Sequence, residues 1–185
     1  MSAPTTTPII PAIPASPGRP ISIRERIVRA IKAAVEAMDD VNSCLRWDGT
    51  GTQTWSNGDV ILDLETEPPP DESPGNPGAL TCTMPAVLAM TMIPASGDTV
   101  TTDEAANYWQ AALKKMLADN RLWHEPATGI RLAIETTFGE CGVPKYLQGI
   151  VNTAIHMSIV YRHDGDSPYK WGSAIAETYD APPAS

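Results

Sequence analysis

Between Trp47 and Leu113 the chain contains no Lys and no Arg. The acids in that stretch are Asp48, Asp59, Asp63, Glu65, Glu67, Asp71, Glu72, Asp98, Asp103 and Glu104. Elsewhere the two signs nearly cancel, so one middle segment carries essentially the whole net charge of -9. A surface of that sign argues against a nucleic-acid grip, which needs Lys and Arg to replace counterions. It suits a basic protein partner, or a surface that nucleic acid passes without sticking. Aromatic residues are scarce too, at 6% with a single Phe, so the core that 42% hydrophobic content permits must rest on Ile, Leu, Val, Met and Ala. No apolar run approaches the roughly 18 residues that span a bilayer. No basic-then-apolar leader opens the chain, and no membrane association is expected. The three cysteines, Cys44, Cys82 and Cys141, are odd in number and far apart. They are expected to be reduced and mostly buried in a chain made in the cytosol.

The motifs of common chemistries are also missing. There is no Gly-x-x-x-x-Gly-Lys to cradle phosphate and no Gly-x-Ser-x-Gly elbow. His124, His156 and His163 lack the spacing of a zinc site, and no Cys-x-x-Cys accompanies them. Asp164-Gly165-Asp166 offers two hard oxygens without the further acids of a calcium loop, so it reads as a turn. Asp63 and Glu65 share a strand face, but carboxylates two apart on a strand are commonplace. The expectation is a protein without catalytic residues, metal or cofactor.

What the chain does contain is proline, 18 in all, and it clusters. Residues 1–20 form an arm in which Pro8, Pro11, Pro14, Pro17 and Pro20 recur every third residue, the period of a polyproline II helix. Ile9, Ile10 and Ile13 sit between them. Two readings fit: a leader that does not order, or an extended arm docking on a neighbouring subunit. In the second, residues 8–20 would reach ~40 Å at about 3.1 Å each. At 185 residues a single domain is expected, over 21–173, followed by a small, polar C-terminal tail at 174–185.

Within the domain, Ser22-Ile23-Arg24-Glu25 is a capping box. It opens a helix to about Met38 with an apolar stripe of Ile23, Ile27, Ile31, Ala34, Val35 and Met38. Arg24, Arg26, Arg29 and Lys32 lie largely off the stripe and read as a solvated face. Asn57-Gly58 marks a hairpin turn before a strand over Asp59–Leu64. The stretch from Glu67 to Gly78, with five Pro and three acids, reads as a long protruding loop. Leu80–Ile93 is an apolar run in which Pro85 points to an edge strand or a bulge. Thr101-Thr102-Asp103-Glu104 opens a second helix to about Asn120, with Trp109, Leu113, Met116 and Leu117 inward. Gly129–Phe138 alternates like a strand, Gly139–Pro144 turns, and a last long strand starts at Ile150. Val151, Ile155, Met157, Ile159 and Tyr161 form its apolar side. The expected fold is α+β, a mainly antiparallel sheet with two helices packed on one face.

Four features taken together resemble one family. They are the capped helix with Arg-Glu-Arg-Ile-Val-Arg-Ala-Ile, the central strand with Met84-Pro85-Ala86-Val87, the helix ending near Leu117, and the closing Ile159-Val160-Tyr161-Arg162-His163 followed by Asp166-Ser167-Pro168-Tyr169. In their order over Ile21–Tyr169 they are similar to the tail terminator proteins of long-tailed bacteriophages and related neck and tail-completion proteins. The resemblance implies a structural virion protein of the neck, made in the host cytoplasm. It implies a hexameric ring that caps the tail tube, contacts tail tube and head–tail connector proteins, and lets DNA pass without specific binding. A connector or stopper ring, and a small peptide-binding adaptor, are the alternatives. The residues expected at subunit or partner contacts are Ile9, Ile10, Ile13, Arg162, His163, Tyr169 and Trp171. Glu65, Glu67, Asp71 and Glu72 are expected to project together as an acidic lumen or partner face.

Overall fold

The computed structural model describes residues 21–39, 41–47, 49, 56–72, 78–92, 102–142, 145–147 and 150–168. The arm at 1–20, with Ile9, Ile10 and Ile13, and the segment holding Tyr169 and Trp171 lie outside the described residues.

Helix α1 (Ile23–Glu36) starts where its cap is written. Ser22 is extended, and its hydroxyl accepts from the Glu25 N–H at 3.2 Å. That satisfies one of the amides that a helix start leaves bare. Glu25 turns its carboxylate to Arg46 instead of closing the reciprocal half of the box, with Arg46 Nη1 2.9 Å away. Ile23, Ile27, Ile31 and Val35 are fully buried, and Val28 and Ala30 widen the stripe.

The strands are β1 (Ser43–Arg46), β2 (Asp59–Leu64), β3 (Asp71–Glu72), β4 (Ala79–Met92), β5 (Glu135–Cys141), β6 (Lys145–Leu147) and β7 (Ile150–Asp164), with α2 (Thr102–Asp119) between β4 and β5. They make one seven-stranded sheet in the order β1-β2-β4-β7-β5, with β3 beside β4 and β6 beside β7. Every pairing except β1 with β2 is antiparallel. The backbone of the fold is β4 against β7, in register from Ala79 opposite Asp164 to Met92 opposite Val151. Period-two alternation sends Cys82, Met84, Ala86, Leu88 and Met90 to the same face as Tyr161, Ile159, Met157 and Ile155. That face joins the stripes of both helices in a single buried cluster, including Trp109, Leu113 and Leu117 of α2. The molecule is therefore α+β with both helices on one face of the sheet. The other face carries Thr83, Pro85, Val87, Ala89, Ala154, Ser158 and Val160, all half-buried, and the exposed His156.

Four local expectations change. Asn57-Gly58 does not close a hairpin, because β1 and β2 are parallel, with Ser43 opposite Asp59. The buried Asp59 carboxylate explains the pairing. It accepts from Asn42 Nδ2 (2.8 Å), Ser43 Oγ (2.7 Å) and the Ser56 N–H (2.7 Å), which ties the starts of the two strands together. A hairpin would put those starts at opposite ends. Pro85 sits in the central strand, not at an edge. Its carbonyl accepts the Glu65 N–H at 3.1 Å. In an antiparallel ladder a residue's N and C=O face the same neighbour, so its missing N–H falls where β2 has just ended.

Third, residues 129–134 leave the alternation. Leu132 and Ala133 are consecutive and both fully buried. Their amides bond the Trp123 and Leu122 carbonyls, at 2.7 and 2.8 Å, so this stretch folds against the turn after α2 and β5 starts only at Glu135. Trp123 holds that turn at φ 40, with its ring buried. Fourth, Gly139 is not a turn. β5 runs through it to Cys141 with a register shift after Phe138, and a Cβ there would lie 3.3 Å from the His156 Cβ.

Candidate functional site

Among the described residues, a long-range polar cluster lies where the first and last described stretches meet. The Ile23 N–H donates to the Pro168 carbonyl at 3.0 Å, so the first turn of α1 is fastened to the turn that follows β7. The first and last described stretches of the chain are therefore side by side. Next to it the segment after β2 crosses the end of the sheet through Glu67-Pro68-Pro69-Pro70. Three consecutive prolines carry no N–H, so this segment cannot join a ladder, and each ring stiffens it.

Glu67 anchors that crossing. Arg24 Nε donates to Glu67 Oε1 at 2.8 Å. The Tyr161 hydroxyl donates to the same carboxylate, 3.2 and 3.4 Å from its two oxygens. Tyr161 stands at the end of the buried face of β7, directly across from Cys82 of β4, and is only 3% exposed. A buried phenol needs a hydrogen-bond partner, and Glu67 supplies it. Burial pushes the Tyr161 phenol well above its ordinary range, and the negative charge of Glu67 adds to the effect. Burial also pushes the Cys82 thiol up, offset in part by its hydrogen bond with Tyr161, with Glu67 pushing the same way as burial. Both groups thus hold their protons at neutral pH, and a protonated thiol is a poor nucleophile. The cluster acts as a clamp joining α1, the proline segment and the β4–β7 ladder.

Above the clamp lies a groove of about 310 Å³ whose lining includes Pro68, Pro70, Pro168, His163, Tyr161 and Arg24. The Tyr161 and His163 rings stand 6.3 Å apart along one wall, tilted at 37°. Arg24 spends Nε on Glu67 and keeps about a third of its side chain exposed.

The residues expected at contacts divide. Arg162 and His163 are adjacent in sequence but point to opposite faces. Arg162 lies on the open face, its Nε 3.3 Å from Thr81 Oγ1, whereas His163 lines the groove and its Nδ1 is 2.7 Å from the Asp164 carbonyl oxygen. The acidic quartet divides as well. Asp71 and Glu72 are exposed on β3, and Glu65 is exposed on the open face with Oε1 4.0 Å from His156 Nδ1. Glu67 is withdrawn into the clamp and does not project with them, because Arg24 and Tyr161 satisfy its charge. Of the stretch read as a long loop, residues 67–72 are anchored at Glu67 and paired at β3, and 73–77 lie outside the described residues. The solvated basic face of α1 also changes. Arg26 makes a two-pronged contact with Glu125, Nε to Oε1 and Nη2 to Oε2, both at 2.8 Å.

Sequence reasoning missed the clamp. Its one local signal was a Tyr ending a buried stripe, which demands a polar partner. The partner is 94 residues away and carries no local mark. Among the described residues no group of His, Cys, Asp and Glu could hold a metal ion, and no helix is long and apolar enough to cross a membrane. No family model matches the chain, and no curated protein is significantly similar to it.

Proposed function

We propose that the chain is a structural subunit of the neck of a long-tailed bacteriophage, a tail terminator whose copies form a ring. The ring caps the tail tube and joins it to the head connector. The observation that carries this reading is the one-sided layering of the sheet. β4 and β7, at 14 and 15 residues, run ~48 Å at about 3.3 Å per residue. Both helices cover one face of that ladder. The other face offers Pro85, Val87, Ala89, Ala154 and Val160 in the middle of the sheet, which are apolar and partly open. A neighbouring copy would bury this face, and in a ring each copy covers the next. The acidic residues Glu65, Asp71 and Glu72 would then repeat around the axis and repel DNA passing through. A connector or stopper ring would use the same face and differ only in which neck protein it meets.

The groove favours a second reading, an adaptor that binds a foreign peptide. Light scattering on the full chain, with negative-stain microscopy, separates the two. The ring reading expects six-fold particles, either free or at the ends of isolated tail tubes. A chain that stays monomeric at high concentration and fails to bind tube ends overturns it.

A further inference from the structure

Resting on the ring reading, we infer that the groove between the proline segment and the end of β7 receives the N-terminal arm of the neighbouring copy. The groove offers an extended apolar peptide stiff Pro68, Pro70 and Pro168 rings, the half-buried His163 ring, a floor over the buried Tyr161, and a partly exposed guanidinium at Arg24. Such grooves take extended, proline-rich peptides because the ligand is already ordered and its carbonyls are open to donors. The arm supplies that ligand. It has proline at every third position from Pro8 to Pro20, with Ile9, Ile10 and Ile13 as apolar side chains to bury.

The choice of a neighbour's groove follows from length. Ser22, which roots the arm, is itself on the rim of the groove. Ser22 has φ -62 and ψ 154, an extended conformation. If the arm is extended, Ile9 to Ile13 would reach ~28–40 Å from that rim at about 3.1 Å per residue. A domain of roughly 150 residues is ~38 Å across. In a head-to-tail ring the equivalent groove would lie about one domain width away, a distance an extended arm would span with its isoleucines. Once one subunit face has docked, the tethered arm binds at high effective concentration, so even a weak groove contact closes the ring.

The test uses full-length chains and mild oxidation. One chain carries Ile13→Cys, a second carries Pro70→Cys, and a third carries both; Pro68→Cys replaces the second if its melting temperature has dropped. The unsubstituted chain, with Cys44 and Cys82 buried and Cys141 half-buried, is the control. Mixing the first two chains is expected to give a disulfide-linked pair. Adding Ile9→Asp and Ile10→Asp to the arm is expected to cut its yield at least tenfold. A link formed only within the doubly substituted chain overturns the inference, since the arm would then fold back on its own groove. Rings without any link also overturn it and leave the ring reading standing. Linked pairs without rings support the arm-to-groove contact and overturn the ring reading. Neither rings nor links overturns both.

Discussion

The Tyr161 hydroxyl and Glu67 Oε1 lie 3.2 Å apart across 94 residues of sequence. That contact ties the last turn of the longest strand to the stiffest segment of the chain. Arg24 shares the carboxylate at 2.8 Å and brings in α1, so three distant pieces of sequence meet on one side chain.

Removing the carboxylate should therefore loosen all three. Glu67→Ala leaves the buried phenol unsatisfied and the guanidinium unpaired, and is expected to cost ~2 kcal/mol, the scale of a buried polar group left without its partner. Tyr161→Phe removes only the hydroxyl and should cost about 1 kcal/mol. Chemical denaturation checks both. In Glu67→Gln, absorbance titration of the phenol should show a pKa lower than in the parent chain. It should still lie above the ordinary range, because burial, the larger cause, remains.

Ile159 and Val160 are neighbours on β7 with opposite fates, since Ile159 is fully buried and Val160 lies half-buried on the open face. Ile159→Asp places an unpaired charge in the core and is expected to unfold the domain, at a cost of several kcal/mol. Val160→Asp should leave a folded chain within about 1 kcal/mol of the parent, as changes outside the core usually do. Its effect should fall on assembly. Circular dichroism melts and light scattering together separate the two outcomes. Assembly unchanged by Val160→Asp would remove the open face from the interface.

Asp59 makes stability depend on pH. Burial opposes its charge, but the hydrogen bonds from Ser43, the Ser56 amide and Asn42 outweigh burial and hold the carboxyl below its ordinary value. A carboxylate whose pKa falls on folding contributes stability that is complete above its unfolded value of about 3.9 and is lost as pH drops through the folded one. Asp59→Asn should thus destabilise at pH 7 by ~2 kcal/mol, because its amide presents a donor to donors. The gap between variant and parent should shrink steadily below about pH 4. Urea midpoints measured from pH 7 to pH 2.5 test this, and a gap constant across that range contradicts it.

On the ring reading, the exposed acids would act on partners and not on folding. Reversing Glu65, Asp71 and Glu72 to Lys should leave the melting temperature within a few degrees, because all three are exposed. If they line a lumen, rings still form on tails and retain DNA. If they meet a basic neighbour, docking fails, and in the parent chain that docking weakens as salt rises. Assembly and DNA passage both unchanged would leave these acids with no role beyond solubility.

Much of the fold was readable because it is written locally. The β7 alternation, the Ser22 half of the cap and the Asp59–Leu64 strand each depend on residues within a few positions of one another, and each formed as read; the Glu25 half of the capping box did not. The Gly129–Phe138 pattern was equally regular and failed at its first half. Period two states only that alternate side chains differ in polarity, and Leu132 and Ala133 both found burial against the turn after α2.

By itself the sequence determined the two helices, the strands β2, β4 and β7, their inward stripes and the acidic sign of the middle segment, since these follow from side-chain spacing and composition. Tertiary structure alone decided the pairings. It made β1 parallel to β2 through the Asp59 hydrogen bonds and gave Pro85 a central place by ending β2 beside it. It drew Glu67 out of the acidic group and into the clamp, and it brought Ile23 and Pro168 together. The physical reason is range. Capping and alternation are settled within one or two turns of chain, whereas a buried phenol or carboxylate takes whichever partner the closed fold brings within 3 Å or so, however far away it is encoded.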